Sequence, residues 1–248
     1  MDGTVSSQRS EELATALRKI TDRIEQACRR VGRSPDEVRL IAVTKTFPAT
    51  DAAALLDLGV RNLGENRDQE AVAKVREVGQ LRPDADVRWH MVGRLQRNKA
   101  RSVARWAAEV QSVDSLRLAD ALTKAVRAAL EAGERDRPLD VLVQASLDDD
   151  PSRGGCPIDD LSELADVIAQ RGDYLRLRGV MAVAPLGVDP EPAFERLAAV
   201  AERLRKDHPE ATEISAGMSG DLDQAIAYGS TCVRVGTALL GGRGLASP

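Results

Sequence analysis

Short apolar runs rich in β-branched residues alternate along the chain with longer segments whose apolar positions recur every three or four residues. The first pattern is typical of buried strands and the second of amphipathic helices. Eight strands are predicted, over residues 39–45, 61–66, 87–93, 108–114, 139–147, 175–185, 212–219 and 232–240. A helical pattern separates each strand from the next. A further helix, from about Ser10 to Val31, precedes the first strand, with Leu13, Ile20 and Ile24 on one face.

Eight strands separated by helices predict a (β/α)8 barrel, and 248 residues is a typical length for that fold. An open doubly wound sheet is the alternative. The similarity of the eight units and the lack of a GxGxxG after the first strand disfavour it. No linker or shift in composition divides the chain. We therefore expect one barrel domain over residues 10–243, with a flexible N-terminal tail over 1–9 and a C-terminal tail over 244–248.

The composition narrows the class of protein further. Charged residues of both signs make up 30% of the chain and leave a net charge of -4, which does not indicate binding to nucleic acid or to a membrane. The N-terminal stretch lacks the apolar core of a signal peptide, and no apolar run approaches membrane-spanning length. The three cysteines are widely spaced and form no CxxC pair, so neither a disulfide framework nor a metal site is expected. These features predict a soluble cytoplasmic protein.

The first predicted strand ends in a lysine, in LIAVTKTFPA at 40–49. By alternation Ile41, Val43 and Lys45 share one face, so Lys45 points to the barrel mouth if the other two fill the interior. Active sites of such barrels lie at the C-terminal ends of the strands. One interpretation of Lys45 is a buried stem with an exposed ammonium. The other is an amine partly withdrawn from water that reacts with an aldehyde to form a Schiff base.

The last two strands end in stretches suited to an anion, GMSGD at 217–221 and VGT at 235–237. Glycines let a ligand approach the backbone, and Ser219 and Thr237 offer hydroxyls. Amides at the start of the helix after Ser219 would add an anion-attracting dipole. Loops after strands 7 and 8 are the recurring phosphate site of this fold. Ordinary turn chemistry, with Ser219 as a helix N-cap, is the alternative. Taken together, the two stretches predict a phosphorylated ligand.

Two more polar side chains stand out at strand ends. Alternation in CVRVG places Arg234 opposite Val233 and Val235, so the guanidinium lies inside the barrel if the valines pack against helices. There it would either pair with an interior Asp or Glu or donate to a ligand acceptor such as an aromatic nitrogen. Asn66, at the end of the second strand, would either donate to a ligand oxygen or cap the helix that follows it.

Six motifs in sequence order closely resemble the pyridoxal phosphate (PLP) homeostasis protein family, which shares the N-terminal barrel of alanine racemase. They are AVTKTFP, LGENRDQE, WHMVGRLQRNK, GVMAVAP, GMSGDLDQAI and VRVGTALLG. The resemblance extends from about residue 10 to residue 243 and implies that six residues bind PLP: Lys45, Asn66, Ser219, Arg234, Gly236 and Thr237.

The resemblance also implies a role for each of these residues. Lys45 would hold PLP as an internal aldimine, Arg234 would face the pyridine nitrogen, and Asn66 would lie near the ring substituents. The other three would hold the phosphate. The reasoning from residues and the resemblance agree on an aldehyde at the end of the first strand and a phosphate at the ends of the last two. We therefore expect Lys45 to be held inside the barrel mouth.

Arg153 and His90 also lie within the region of resemblance. In the loop DDDPSRGGC at 148–156, Arg153 stands where relatives often have a lysine. His90 belongs to a family motif, and we interpret it as a core histidine whose hydrogen bonds are satisfied.

Three functions are compatible with these residues. The first is a PLP holder with little turnover, which stores the cofactor or delivers it to PLP-dependent apo-enzymes. The second is a PLP-dependent amino-acid racemase. The third is a Schiff-base aldolase acting on sugar phosphates without a cofactor, which would leave Arg234 without a role.

The racemase needs a second proton-transferring group. Racemases of this barrel family take a tyrosine for that purpose from an additional C-terminal domain, whereas this chain ends eight residues past Leu240. Its own Tyr174 and Tyr228 lie away from the predicted mouth. An arginine at the pyridine nitrogen also disfavours ring protonation and weakens PLP as an electron sink. The sequence therefore favours the holder, and we expect a monomer.

Overall fold

The structure is a computed structural model that describes residues 6–148, 153–185 and 187–242. Eight parallel strands pair in sequence order and close into a barrel, because β8 pairs with β1. The closed barrel confirms the predicted (β/α)8 fold and excludes the open sheet. The strands are β1 (Arg39–Val43), β2 (Asn62–Glu65), β3 (Arg88–Met91), β4 (Glu109–Val113), β5 (Leu139–Gln144), β6 (Leu175–Met181), β7 (Glu213–Ser215) and β8 (Cys232–Val235).

Helices cover the outside of the barrel, and one more precedes it. They are α1 (Ser7–Arg30), α2 (Ala49–Asp57), α3 (Asp68–Leu81), α4 (Ala100–Trp106), α5 (Leu116–Glu131), α6 (Leu161–Ala169), α7 (Glu191–Asp207), α8 (Leu222–Ala227) and α9 (Thr237–Leu240). Within the described residues, no helix is long and apolar enough to cross a membrane.

Helix α1 begins inside the segment that we expected to be a flexible tail. Its N-cap is Ser6, whose side chain accepts a hydrogen bond from the Arg9 amide. The Arg9 side chain then donates to Asp51 at 2.7 Å and to the Leu240 carbonyl at 2.9 Å. Residues 7–9 are therefore helical and attached to the barrel, which corrects the expected domain boundary.

Several strands stop earlier than the apolar pattern predicts. β1 ends at Val43 rather than at 45, and β7 ends at Ser215 rather than at 219. The residues TALL, predicted as the end of the eighth strand, form α9. An apolar pattern reports burial, and residues beyond a strand remain buried under loops and helices without belonging to the ladder.

Most of the apolar core lies between the barrel and its helices. Val233 and Val235 pack there with residues of α1 and α2, as the alternation in β8 predicts. Inside the barrel the apolar cluster is small and consists of Ile41, Val43 and Cys232, with Val92 packed against them. The rest of the interior therefore has room for polar side chains.

Candidate functional site

A pocket of about 420 Å³ opens at the C-terminal ends of β1, β2, β7 and β8. All six residues singled out from the sequence line it: Lys45, Asn66, Ser219, Arg234, Gly236 and Thr237. They are far apart in the sequence and meet because closure of the barrel makes β8 a neighbour of β1. A larger groove along the ends of β2, β3 and β4 shares Asn66 with this pocket but none of the other five.

Lys45 lies in a turn beyond β1 rather than on the strand. The Thr44 amide still donates to the Gly64 carbonyl at 2.9 Å, and two residues later Thr46 has a left-handed φ of 66°. The side chain of Lys45 is exposed at the wall of the pocket. The expectation that Lys45 is held inside is therefore wrong, because strand alternation ends where the ladder ends. Its amine is accessible to a ligand that enters the pocket.

The lysine that is buried beside this turn is Lys74 of α3. Its Nζ donates to the Thr44 carbonyl at 2.5 Å and to Glu65 Oε1 at 2.7 Å. The Thr44 hydroxyl donates to the same Glu65 oxygen at 2.5 Å. Glu65 Oε2 is buried and has no partner in the described part of the chain. The ion pair thus anchors the peptide group that leads into Lys45.

We expect Lys74→Met to destabilise the protein strongly, because it leaves the buried Glu65 carboxylate without its cation. Breaking a buried ion pair from one side costs about 3 kcal/mol or more. Urea unfolding measures the change in the free energy of unfolding. Lys206→Met is the control, since Lys206 lies 3.7 Å from Glu202 in an exposed pair on α7, and such pairs are worth about 0.5 kcal/mol. Equal effects of the two substitutions would contradict the prediction.

Arg234 lies inside the barrel at the floor of the pocket. Its Nη1 donates to Ser215 Oγ at 2.6 Å and its Nη2 donates to the Ala182 carbonyl at 2.8 Å. No carboxylate among the described residues forms an ion pair with it, so the structural alternative of an interior Asp or Glu partner does not hold. Burial lowers the pKa of Arg234 from its ordinary value. The residue is a hydrogen-bond donor at the base of the site.

Asn66 is not a helix cap. The N-cap position of α3 is Arg67, and no side chain caps that helix. The Asn66 side chain is partly exposed and makes no hydrogen bond to the described residues. The Gly93 backbone packs closely against that of Asn66, since a Cβ at Gly93 would lie 2.4 Å from the Asn66 carbonyl oxygen. The Asn66 side-chain amide is therefore available to a ligand.

Ser219 connects the ends of β7 and β8. Its Oγ accepts a hydrogen bond from the Ala238 amide at 3.2 Å, so its own hydrogen remains free to donate into the pocket. It does not cap α8, whose N-cap is Asp221. The amides of Asp221 and Leu222 both donate to the Met218 carbonyl. The anion attraction expected from the start of that helix is thus wrong for these two amides, whereas the hydroxyl of Ser219 can donate.

An anchor for this loop comes from a residue that the sequence analysis missed. Arg23 of α1 donates from Nη1 to the Ser219 carbonyl at 2.6 Å and from Nε to Asp223 at 2.6 Å. Nothing in the sequence distinguishes Arg23 from the other charged residues on the polar face of α1. Only the packing of α1 against α8 brings it to the site.

Two ionisable groups, Lys45 and Arg234, line the pocket in the described part of the chain. The lining there includes no carboxylate, histidine, tyrosine or cysteine. Tyr174 packs against the helix-side core, and the Tyr228 hydroxyl donates to Glu191 at 3.5 Å. Both tyrosines therefore lie away from the pocket, as predicted. The site is positively charged, which suits an anionic ligand, and holds one amine that can react.

Comparison with known proteins identifies the family. Residues 16–244 match the family model for the alanine racemase N-terminal domain. A pyridoxal phosphate homeostasis protein of Mycobacterium leprae (strain TN) is 45% identical, over 100% of this chain and 99% of its own length. The chain belongs to the pyridoxal phosphate homeostasis protein family. The resemblance inferred from the six sequence motifs is thereby confirmed.

Solved structures agree with this assignment. PipY of Synechococcus elongatus PCC7942, determined with PLP bound, has a TM-score of 0.77 and 34% identity, over 92% of this chain and 100% of PipY. Alanine racemase from Streptomyces coelicolor A3(2) has a TM-score of 0.70 at 22% identity. This second likeness is one of fold, and the chain spans 59% of the racemase.

His90 and Arg153 both make hydrogen bonds that hold the barrel or its loops. His90 is fully buried, with Nδ1 3.1 Å from Glu109 and Nε2 3.0 Å from Asn62, so it is the satisfied core histidine that we predicted. Arg153 donates from Nη2 to the Ala184 carbonyl at 2.6 Å and pairs with Asp148 at 3.3 Å. Arg153 therefore connects the loop after β5 to the segment that follows β6. Residues 149–152 of that loop lie outside the described part of the chain.

Proposed function

We propose that this chain is a cytoplasmic PLP-binding protein of cofactor homeostasis, which stores PLP or delivers it to PLP-dependent apo-enzymes and turns over little. The observation that carries the proposal is the convergence of the six residues on one pocket with two cations and no carboxylate in its described lining. The PLP bound to PipY and the names of the relatives support the choice of cofactor. The buried free thiols of Cys28, Cys156 and Cys232 fit a reducing compartment. We further propose that the protein acts as a monomer.

The described residues fit PLP group by group. The accessible amine of Lys45 suits the aldehyde, and Arg234 would donate to the ring nitrogen. Ser219 and Thr237 would offer hydroxyls to the phosphate, Gly236 would offer a backbone without a side chain, and Asn66 would lie near the ring substituents. The pocket volume lies within the range of small-molecule sites. When bound, PLP would supply a reactive aldehyde and an electron-accepting ring.

The same lining argues against a racemase. Racemisation needs one group to remove the substrate's α-proton and another to return a proton on the opposite face. Lys45 could serve once, but no second acid or base lines the described pocket. A donor such as Arg234 at the ring nitrogen also disfavours a protonated ring. This chain's own residues are therefore suited to binding and orienting PLP rather than to moving protons.

Titration of ligand-free protein with PLP tests the proposal directly. Visible absorption should change until about one equivalent of PLP is bound. The reason is that, among the described residues, one pocket contains all six residues expected to contact PLP. Protein that gives no spectral change with PLP would contradict the proposal and would leave an aldolase that uses Lys45 without a cofactor.

The phosphate contacts give a quantitative prediction. Ser219→Ala and Thr237→Val should each weaken PLP binding about fivefold, as expected for one lost hydrogen bond of about 1 kcal/mol. Pyridoxal, which lacks the phosphate, should bind much more weakly than PLP. Thr123→Val is the control, because it removes a hydroxyl that donates to the Ala119 carbonyl on α5. Equal affinities for pyridoxal and PLP would place the phosphate elsewhere.

A further inference from the structure

Arg234 is connected to a buried carboxylate across the barrel by three consecutive hydrogen bonds. Its Nη1 donates to Ser215 Oγ at 2.6 Å. The Ser215 hydroxyl donates to Gln111 Oε1 at 2.8 Å, and Gln111 Nε2 donates to Glu109 Oε1 at 2.7 Å. All four side chains are buried. β4, which carries Gln111 and Glu109, lies four strands from β8 in the barrel, so this chain of bonds crosses the interior.

The direction of these bonds is fixed by their two ends. A guanidinium can only donate and an ionised carboxylate can only accept. Ser215 has a single hydroxyl hydrogen, so after accepting from Arg234 it donates onward. The opposite orientation of the Gln111 amide would set its oxygen against an oxygen of the Glu109 carboxylate, which are two acceptors with no hydrogen between them. Each hydrogen therefore points towards Glu109 and each oxygen towards Arg234.

Glu109 is held in its charged form by its surroundings. Burial alone would raise its pKa, but the hydrogen bond from His90 and the positive charge of Arg39 hold the pKa of Glu109 well below its usual range. Arg39 and Arg88 each donate to it at 3.1 Å. The carboxylate is thus a buried negative charge at the start of β4.

We infer that Gln111 and Ser215 are positioning residues, which relay the charge of Glu109 to Arg234 and hold its guanidinium as a fixed donor facing the pocket. A buried charge without a partner is costly unless oriented polar groups surround it. The Ala182 carbonyl supplies one such group, and the Ser215–Gln111–Glu109 chain supplies the other. The consequence for the ligand rests on the proposed function: the PLP ring nitrogen would accept a hydrogen bond from Arg234 and would stay unprotonated.

The first test uses ligand-free protein with isotope-labelled arginine. Ser215→Ala should speed hydrogen exchange of the Arg234 guanidinium about tenfold, as expected for loss of a hydrogen bond to a charged group. Gln111→Asn should speed it as well, although the hydrogen bonds of Gln111 go to Ser215 and Glu109 and not to Arg234. Ser230→Ala is the matched control, because this equally buried hydroxyl bonds the Ala216 carbonyl at 2.8 Å and should leave the exchange unchanged.

The second test measures PLP binding in a double-mutant cycle. Ser215→Ala should weaken PLP binding several-fold in the wild type and have no effect in an Arg234→Met background, because Ser215 acts through Arg234. Equal losses in both backgrounds, or unchanged arginine exchange in Ser215→Ala, would overturn the inference. If exchange responds as expected but even the wild type fails to bind PLP, the proposed function fails while the positioning of Arg234 stands.

Discussion

Replacing Lys45 with alanine is expected to abolish the covalent attachment of PLP. After borohydride treatment, the wild-type protein should retain PLP on a peptide that contains Lys45, and the variant should retain none. Lys45 is the one amine that lines the described pocket, and its side chain is exposed there rather than buried in an ion pair. Mass spectrometry of the reduced and digested protein measures the label. Residual non-covalent binding through the phosphate contacts should persist in the variant.

The matched control is Lys99→Ala. Lys99 lines the neighbouring groove, which shares only Asn66 with the site residues. This variant should be labelled at Lys45 to the same extent as the wild type. A label on Lys99, on Lys74 or on another lysine of the wild type would refute the proposed attachment site.

The second large effect is kinetic. Wild-type protein loaded with PLP should show little or no exchange of the α-proton of alanine or serine in deuterated water, and no measurable racemisation. General acid–base catalysis is worth about a hundred- to ten-thousand-fold in rate, and the described pocket has no second group that could provide it. Proton NMR of the amino acid follows the exchange over time. Turnover at about 1 per second or faster would establish a racemase instead.

Arg234→Glu tests the reason for this low activity. A carboxylate at this position would favour a protonated ring nitrogen and so strengthen the ring as an electron acceptor. We expect the variant, once its label at Lys45 has been verified, to exchange the α-proton faster than the wild type. An exchange rate equal to or below that of the wild type would show that the ring nitrogen does not limit the reaction.

The polar interior of the barrel could have been predicted more fully from the sequence. Glu109 and Gln111 alternate in EVQSV, and Glu213 and Ser215 alternate in EIS. Polar residues at every second position of a strand indicate that one face of that strand is polar. The same alternation predicts the inward direction of Arg234 in β8. Its partners on β4 and β7 therefore carry a signal in the sequence.

Other features had no sequence signal. Lys74 and Arg23 are ordinary charged residues on amphipathic helices, where such residues usually face solvent. Their roles depend on which strand or loop lies beneath each helix. That information is tertiary, because it follows from how the helices pack on the closed barrel.

The sequence by itself determined the barrel, the family and the residues around the pocket. Its period of hydrophobic positions records which faces are buried, and its glycine, serine and lysine motifs mark where the strands end. Only the tertiary structure decided the exposure and the hydrogen-bond partners of those residues. It placed Lys45 outside the strand and exposed, gave Arg234 neutral partners instead of a carboxylate, and joined Ser219 to the amide of Ala238. Alternation fixes the direction of a side chain only while the ladder continues, and hydrogen-bond partners from distant strands meet only when the barrel closes.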